Sequence, residues 1–175
     1  MQWKHASSPP PKKFRAVKSA HKVLLTVFFE VQDPLLVEFL EHRKSIYSDV
    51  YCEAFRRLRS SIKNKRPGLL TEGVVLLHNS ARPHVSRVTQ MELDKFKWET
   101  LDHPPYSPDM SPCDSHVFGP QKKHLKGKRF NSGDVLKDTV KHWVSSQPQE
   151  FWEQGILRLV HQWDRCAQAY GIYFE

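Results

Sequence analysis

Apolar residues fall along this chain in two patterns, short unbroken runs and longer stretches at helical spacing. The run Val23-Leu24-Leu25-Thr26-Val27-Phe28-Phe29, inside Lys22–Glu30, is rich in β-branched and aromatic residues and predicts a buried strand. Asp33-Pro34 marks a turn. Leu35–Leu40 predicts a second strand, so the pair reads as an antiparallel hairpin. Ser48 is placed to cap a helix running to about Lys65. Tyr51, Phe55, Leu58 and Ile62 share one face of it, and Arg56, Arg57, Arg59, Lys63, Lys65 and Arg66 share the other. Pro67-Gly68 is expected to end it. Gly73–His78 predicts a third strand, His84–Phe96 a helix and Trp98–Leu101 a short fourth strand. A proline-dense loop from His103 to Pro112 leads to Asp114, where a helix is expected to start and reach about Leu125. Two further helices are predicted near Ser132–Ser146 and Gln149–Tyr170, with Ser132 and Asp134 placed to cap the first. This order predicts an α/β domain whose mixed sheet has helices on its faces.

Composition narrows the function classes. Hydrophobic residues make up 39% of the 175 positions and charged ones 26%, as in a globular domain. No apolar run approaches the roughly 20 residues of a membrane helix, and no basic-then-apolar leader opens the sequence. Lys and Arg total 27 against 19 for Asp and Glu, a formal charge of +8, which favours an anionic partner and nucleic acid first. Cys52, Cys113 and Cys166 are odd in number and widely spaced, which argues against a disulfide framework or a zinc finger. Residues 1–21 form a separate basic, proline-rich segment, and 22–175 carry the predicted domain. Pro9-Pro10-Pro11 cannot enter a helix or a central strand, so this segment reads as an extended arm. Two basic groups stand out as candidate phosphate contacts, Lys12, Lys13, Arg15 and Lys18 in the arm and Lys122, Lys123, Lys126, Lys128 and Arg129 after the Asp114 helix, and the Arg56–Arg66 face of the first helix is a third, weaker candidate. The bland reading of the first two is a solvated basic face.

Two motifs carry more information. The third strand runs into His78-Asn79-Ser80-Ala81-Arg82-Pro83-His84, and the loop reads His103-Pro104-Pro105-Tyr106-Ser107-Pro108-Asp109-Met110-Ser111-Pro112-Cys113-Asp114. Between positions 79 and 114 lie 34 residues. Both segments and their separation resemble the mariner-type DNA transposases, and the similarity extends over nearly the whole chain. It also reaches the transposase part of a histone methyltransferase–mariner fusion.

The resemblance implies an RNase H-like catalytic domain that cuts DNA at terminal inverted repeats and joins it to a new target. It further implies two divalent ions, Mg²⁺ or Mn²⁺, held by three carboxylates. Two ions roughly 4 Å apart stabilise the attacking and leaving oxygens of an in-line displacement. Asp114 matches the third acid and metal ligand. Asn79 stands where the family has its second acid, and an amide offers one neutral oxygen where a carboxylate offers charge. Ser80 replaces the family's usual Asn. The family's first acid lies on a strand ahead of the arm. The expectation is therefore an RNase H-like sheet truncated at the N-terminus, lacking its first, central strand, with unpaired edges on its neighbours. Glu30 and Asp109 read as solvated ends of elements. His78, His84, His103 and His116 read as positions that shape loops, and Trp98, Trp143, Trp152 and Trp163 as core. The reading that follows is a nuclear, transposon-derived DNA-binding remnant without productive metal binding, with a homodimer possible and no membrane partner. The alternatives are a metal-dependent nuclease completed by another segment, a product without selected function, or an interaction module using the exposed sheet edge.

Overall fold

The structure, a computed structural model, describes residues 23–40, 46–104 and 106–168. The expected arm, with Lys12, Lys13, Arg15 and Lys18, lies outside them.

Strands β1 (Leu24–Phe29) and β2 (Pro34–Leu40) form the expected antiparallel hairpin, with Val27 opposite Val37 and an irregularity at Phe28/Phe29. Helix α1 (Ser48–Lys65) presents Tyr51, Phe55, Leu58 and Ile62 to the interior, as the spacing predicted. Its N-cap is Tyr47, whose side chain makes no capping bond, and Ser48 is the first helical residue. Helix α1 ends ahead of Pro67-Gly68, as expected, but the chain stays helical. A proline needs no N–H partner in a first turn, so Pro67 opens a second short helix, α2 (Pro67–Glu72). Gly73, at φ +110, then turns the chain into β3 (Val75–Leu77).

Helix α3 (Arg87–Phe96) starts later than expected, because the N–H groups of His84 and Val85 close a turn on the Ala81 carbonyl. Ser86 caps it, accepting from the Thr89 N–H at 3.2 Å. Lys97 ends it in the left-handed conformation, and β4 (Glu99–Leu101) pairs with β3 in parallel. The proline-dense loop contains a 3₁₀ turn at Pro108–Met110 and a wide π turn at Cys113–Val117, which leads into α4 (Phe118–Leu125). Helices α5 (Gly133–Ser145) and α6 (Gln149–Gln168) follow. Ser132 caps α5 as expected, while Asp134 pairs with Lys137 in its first turn.

The hairpin is covered on both sides. Leu35 joins Tyr51, Phe55, Leu58, Ile62, Leu76, Leu93 and Trp98 in one cluster. Val37 and Phe39 pack on the other, formed by Val117, Val140, Trp143, Val144 and Trp152. Trp98, Trp143 and Trp152 are core residues as read from the sequence, and Trp163 is half-buried. Among the described residues the strands form two separate two-stranded sheets, β1-β2 and β3-β4. These elements form the mixed α/β arrangement, with helices packed over the strands, that their order predicted.

Candidate functional site

The two motifs meet in space. β3 delivers His78 and Asn79 at its C-terminal end, and the π turn delivers Asp114. Asn79 and Asp114 both line two adjoining cavities of about 390 and 530 Å³. The larger is also walled by Ser80, Ala81, His103, Pro104 and Tyr106. The smaller runs between β1 and β3 and includes Tyr51, His78, His84, His103 and Cys113.

Local chemistry explains each placement. The Asn79 side-chain oxygen accepts the Ala81 N–H at 3.2 Å, an Asx-type turn that reverses the chain at the strand end. The Asn79 backbone carbonyl bonds His84 Nδ1 at 3.2 Å, closing the loop. Ser80, read from sequence as drift, ties the two motifs together: its hydroxyl donates to the His103 carbonyl at 2.9 Å. Ser111 holds the other side, receiving the Asp114 N–H at 3.5 Å and the Ser115 hydroxyl on its carbonyl at 2.8 Å. Asn79 and Asp114 are both exposed to solvent.

Behind them stands an aromatic stack that sequence reasoning missed. Tyr51 was read as a core residue of α1. Its ring stacks on His84 at 3.9 Å, and its hydroxyl lies 3.1 Å from His78 Nδ1. His78 and His84 lie parallel, 5.5 Å between centroids. Burial, with the neighbouring His84 and His103 adding to it, pulls His78 down to about 4, and burial also lowers His84. Burial pushes the Tyr51 hydroxyl well above the tyrosine range, so it remains a donor facing neutral His78. Desolvation, with the charge of neighbouring Asp114 adding to it, pushes half-buried Cys113 up to about 12, so it is a thiol and not a nucleophilic thiolate. The signal available in sequence was only that Tyr51 is the one polar-tipped residue on an apolar face.

The remaining candidates separate cleanly. Lys122, Lys123, Lys126, Lys128 and Arg129 are all exposed, in and beyond the last turn of α4. Most cations of α1 and its C-cap Arg66 are engaged within the fold. Arg56 pairs with Glu92, Arg57 with Glu38, Lys65 with Asp33, and Arg66 with Glu30 and Asp33. Arg59 sits over the Phe96 ring. Glu30 is thus an ion-pair partner, and Asp109 is half-buried in its 3₁₀ turn, where a solvated end was expected. Neither lines the two cavities. His116 is a packing residue, its Nε2 2.6 Å from the Phe151 carbonyl.

Comparison with known proteins decides the family. The profile described as "Transposase (partial DDE domain)" matches residues 1–72. Two curated relatives match almost end to end on this chain. The mariner Mos1 transposase of Drosophila mauritiana is 28% identical over 95% of the chain, and the histone-lysine N-methyltransferase SETMAR of Homo sapiens is 30% identical over 99%. The solved Mos1 catalytic domain, with Raltegravir and Mn, superposes with a TM-score of 0.84 and 29% identity, covering 90% of the chain and 80% of that structure. The Mos1 paired end complex with Mn superposes at 0.86, covering 99% and 51%. The chain belongs to the mariner transposase family.

It spans 49% of the curated mariner Mos1 protein and 26% of SETMAR. Mos1 structures contain Mn or Mg, which establishes divalent metal in this mariner family. The residues of this mariner chain do not fit such a pair of ions. Among the described residues Asp114 is the one carboxylate lining the two cavities, and the Asn79 oxygen is committed to its own turn. Among the described residues no group of three His, Cys, Asp or Glu could hold a metal ion. A single carboxylate competes poorly with water for a hard cation.

Proposed function

We propose that this mariner-derived domain binds DNA through its phosphates and does not cleave it on its own. The observation that carries the reading is the pairing of Asn79 with Asp114 across the cavity. The geometry that would place two acids is kept, and one of the two is an amide bound to Ala81. Loss of one charge removes the attraction that a divalent ion needs, whereas phosphate binding needs only positive charge within reach. The exposed run Lys122, Lys123, Lys126, Lys128 and Arg129 supplies it next to Asp114 in the chain, and the arm's Lys12, Lys13, Arg15 and Lys18 belong to the same proposal. Support comes from the Mos1 relatives, solved as a paired-end complex with the left transposon end and as a strand transfer complex. A homodimer and a nuclear location are part of this reading. No described helix is long and apolar enough to cross a membrane.

The test is affinity for a labelled mariner-end duplex at two salt concentrations. Binding at low salt is expected to fall by roughly a decade for a several-fold rise in salt, as for a few phosphate contacts. Replacing all five cations of the run by alanine is expected to remove most of it. Failure to bind at low salt overturns the proposal.

A further inference from the structure

Two hydroxyl residues of this chain have an arginine three positions ahead, Ser60 behind Arg57 and Ser132 behind Arg129. A protein kinase with an acidic subsite at that distance holds such an arginine by charge-assisted hydrogen bonds when the segment lies extended across it. The structure separates the two serines. Ser60 lies inside α1, its hydroxyl donates to the Arg56 carbonyl at 3.0 Å, and Arg57 is paired with Glu38. Ser132 closes a stretch, 128–132, that is neither helix nor strand. Its own backbone is extended, at φ −145 and ψ 161, and Arg129 and Asn131 are exposed. Among the described residues no backbone hydrogen bond ties Arg129, Phe130 or Asn131 to another element. Half-buried Ser132 accepts the Val135 N–H on its Oγ at 3.3 Å, and this capping bond uses the oxygen and not the hydroxyl proton.

We propose that Ser132 is a phosphorylation site for an arginine-directed protein kinase, and that its phosphorylation lowers the affinity of the neighbouring basic run for DNA. In the transfer, Ser132 Oγ bonds to the γ-phosphorus of ATP and the bond from that phosphorus to the β–γ bridging oxygen breaks. ADP leaves, and the hydroxyl proton goes to the base of the kinase. The phosphoryl group brings a charge of about −2 against the five cations Lys122, Lys123, Lys126, Lys128 and Arg129. Three residues of extended chain put it at most about 10 Å along the backbone from Arg129, about one Debye length at 0.1 M salt. It therefore competes with DNA phosphates for the same cations. Helix α5 gains from the change, because the new anion sits at the positive end of its dipole. Asp134, the one carboxylate in that first turn, is already held by Lys137. One modification thus withdraws charge from the DNA face while strengthening a helix start. The effect on DNA rests on the DNA-binding reading above, and the site itself does not.

The test treats the full chain with labelled ATP and a purified serine kinase that selects arginine three residues ahead. The expected result is about one phosphate per chain, located on Ser132 by mass spectrometry. Ser132→Asn keeps a capping side chain without an acceptor hydroxyl. It is expected to take no label, to melt within about 1 °C of the parent and to bind DNA equally with or without kinase treatment. Arg129→Lys keeps the charge but loses the guanidinium fork, and is expected to slow labelling about tenfold. The phosphorylated chain is expected to melt about 2 °C higher than the unmodified one. Its affinity for mariner-end duplex at about 0.1 M salt is expected to fall about tenfold or more, with the salt slope reduced by about two contacts. Three outcomes overturn the proposal: no labelling, labelling that persists in Ser132→Asn, or a phosphorylated chain that binds DNA as tightly as before. If the unmodified chain itself fails to bind at low salt, the DNA half falls together with the DNA-binding reading, whereas loss of label in Ser132→Asn still establishes the site.

Discussion

The Asn79 side-chain oxygen and the Ala81 backbone N–H lie 3.2 Å apart, and this bond makes Asn79 a turn residue in the place of a metal ligand. An aspartate can accept the same N–H, whereas alanine cannot. Asn79→Ala is therefore expected to destabilise the chain by about 1 kcal/mol, and Asn79→Asp to stay within about 0.5 kcal/mol of it. Denaturant unfolding measures both. Equal loss in the two variants contradicts the turn role.

Stability should depend on pH through the stack behind the site. His78 titrates near 4 in the folded chain, below its ordinary 6.5, so the unfolded chain takes up this proton first. Its contribution is complete above about pH 6.5 and is lost as pH falls towards 4; His84, also lowered, acts in the same direction. The melting temperature is expected to drop across that window, and His78→Gln is expected to make the drop shallower. Identical profiles for the two proteins refute the assignment.

Two helical glycines should respond in opposite directions. A Cβ on Gly155 would meet His116 Cδ2 at 2.9 Å, and His116 is fixed by its bond to the Phe151 carbonyl. Gly155→Ala is expected to cost about 1–3 kcal/mol by overpacking, although alanine is the better helix former. Gly119 in α4 has open space, so Gly119→Ala is expected to add about 0.4–1 kcal/mol. Thermal unfolding of the two variants checks the signs.

Tyr106 is fully exposed at φ +57, an unfavourable conformation for an aromatic residue, on the rim shared by Asn79 and Asp114. An exposed ring on the cavity rim suits base stacking. Tyr106→Ala is expected to weaken single-stranded DNA binding by about 1–3 kcal/mol while leaving the melting temperature unchanged. Lys123→Ala should instead reduce the salt slope by about one contact. Fluorescence anisotropy at several salt concentrations separates the two effects.

Much of this was legible because the signals were long or local. The helical spacing of Tyr51, Phe55, Leu58 and Ile62 gave the buried face of α1, and Ser132 gave a cap. The resemblance of the two motifs to the mariner signature implied that Asn79 and Asp114 share one site, and both line the same two cavities. What escaped depends on partners distant in sequence. The cations of α1 looked like a binding face because Glu38 and Glu92, which neutralise Arg57 and Arg56, lie on other elements. Pro67 was read correctly as the stop of α1, but the short helix it opens was not foreseen, because proline both ends one helix and starts the next. Tyr51 is core as read, but its hydroxyl bond escaped notice because the partner, His78, is 27 residues away.

The proposed domain keeps the transposase frame and does not cleave DNA on its own. The most direct measurement is incubation of the chain with mariner-end duplex DNA and Mg²⁺ or Mn²⁺, with strand breaks followed on a denaturing gel. The account predicts intact strands with either metal under conditions where the DNA is bound. Metal-dependent nicking that disappears in Asp114→Ala would contradict it.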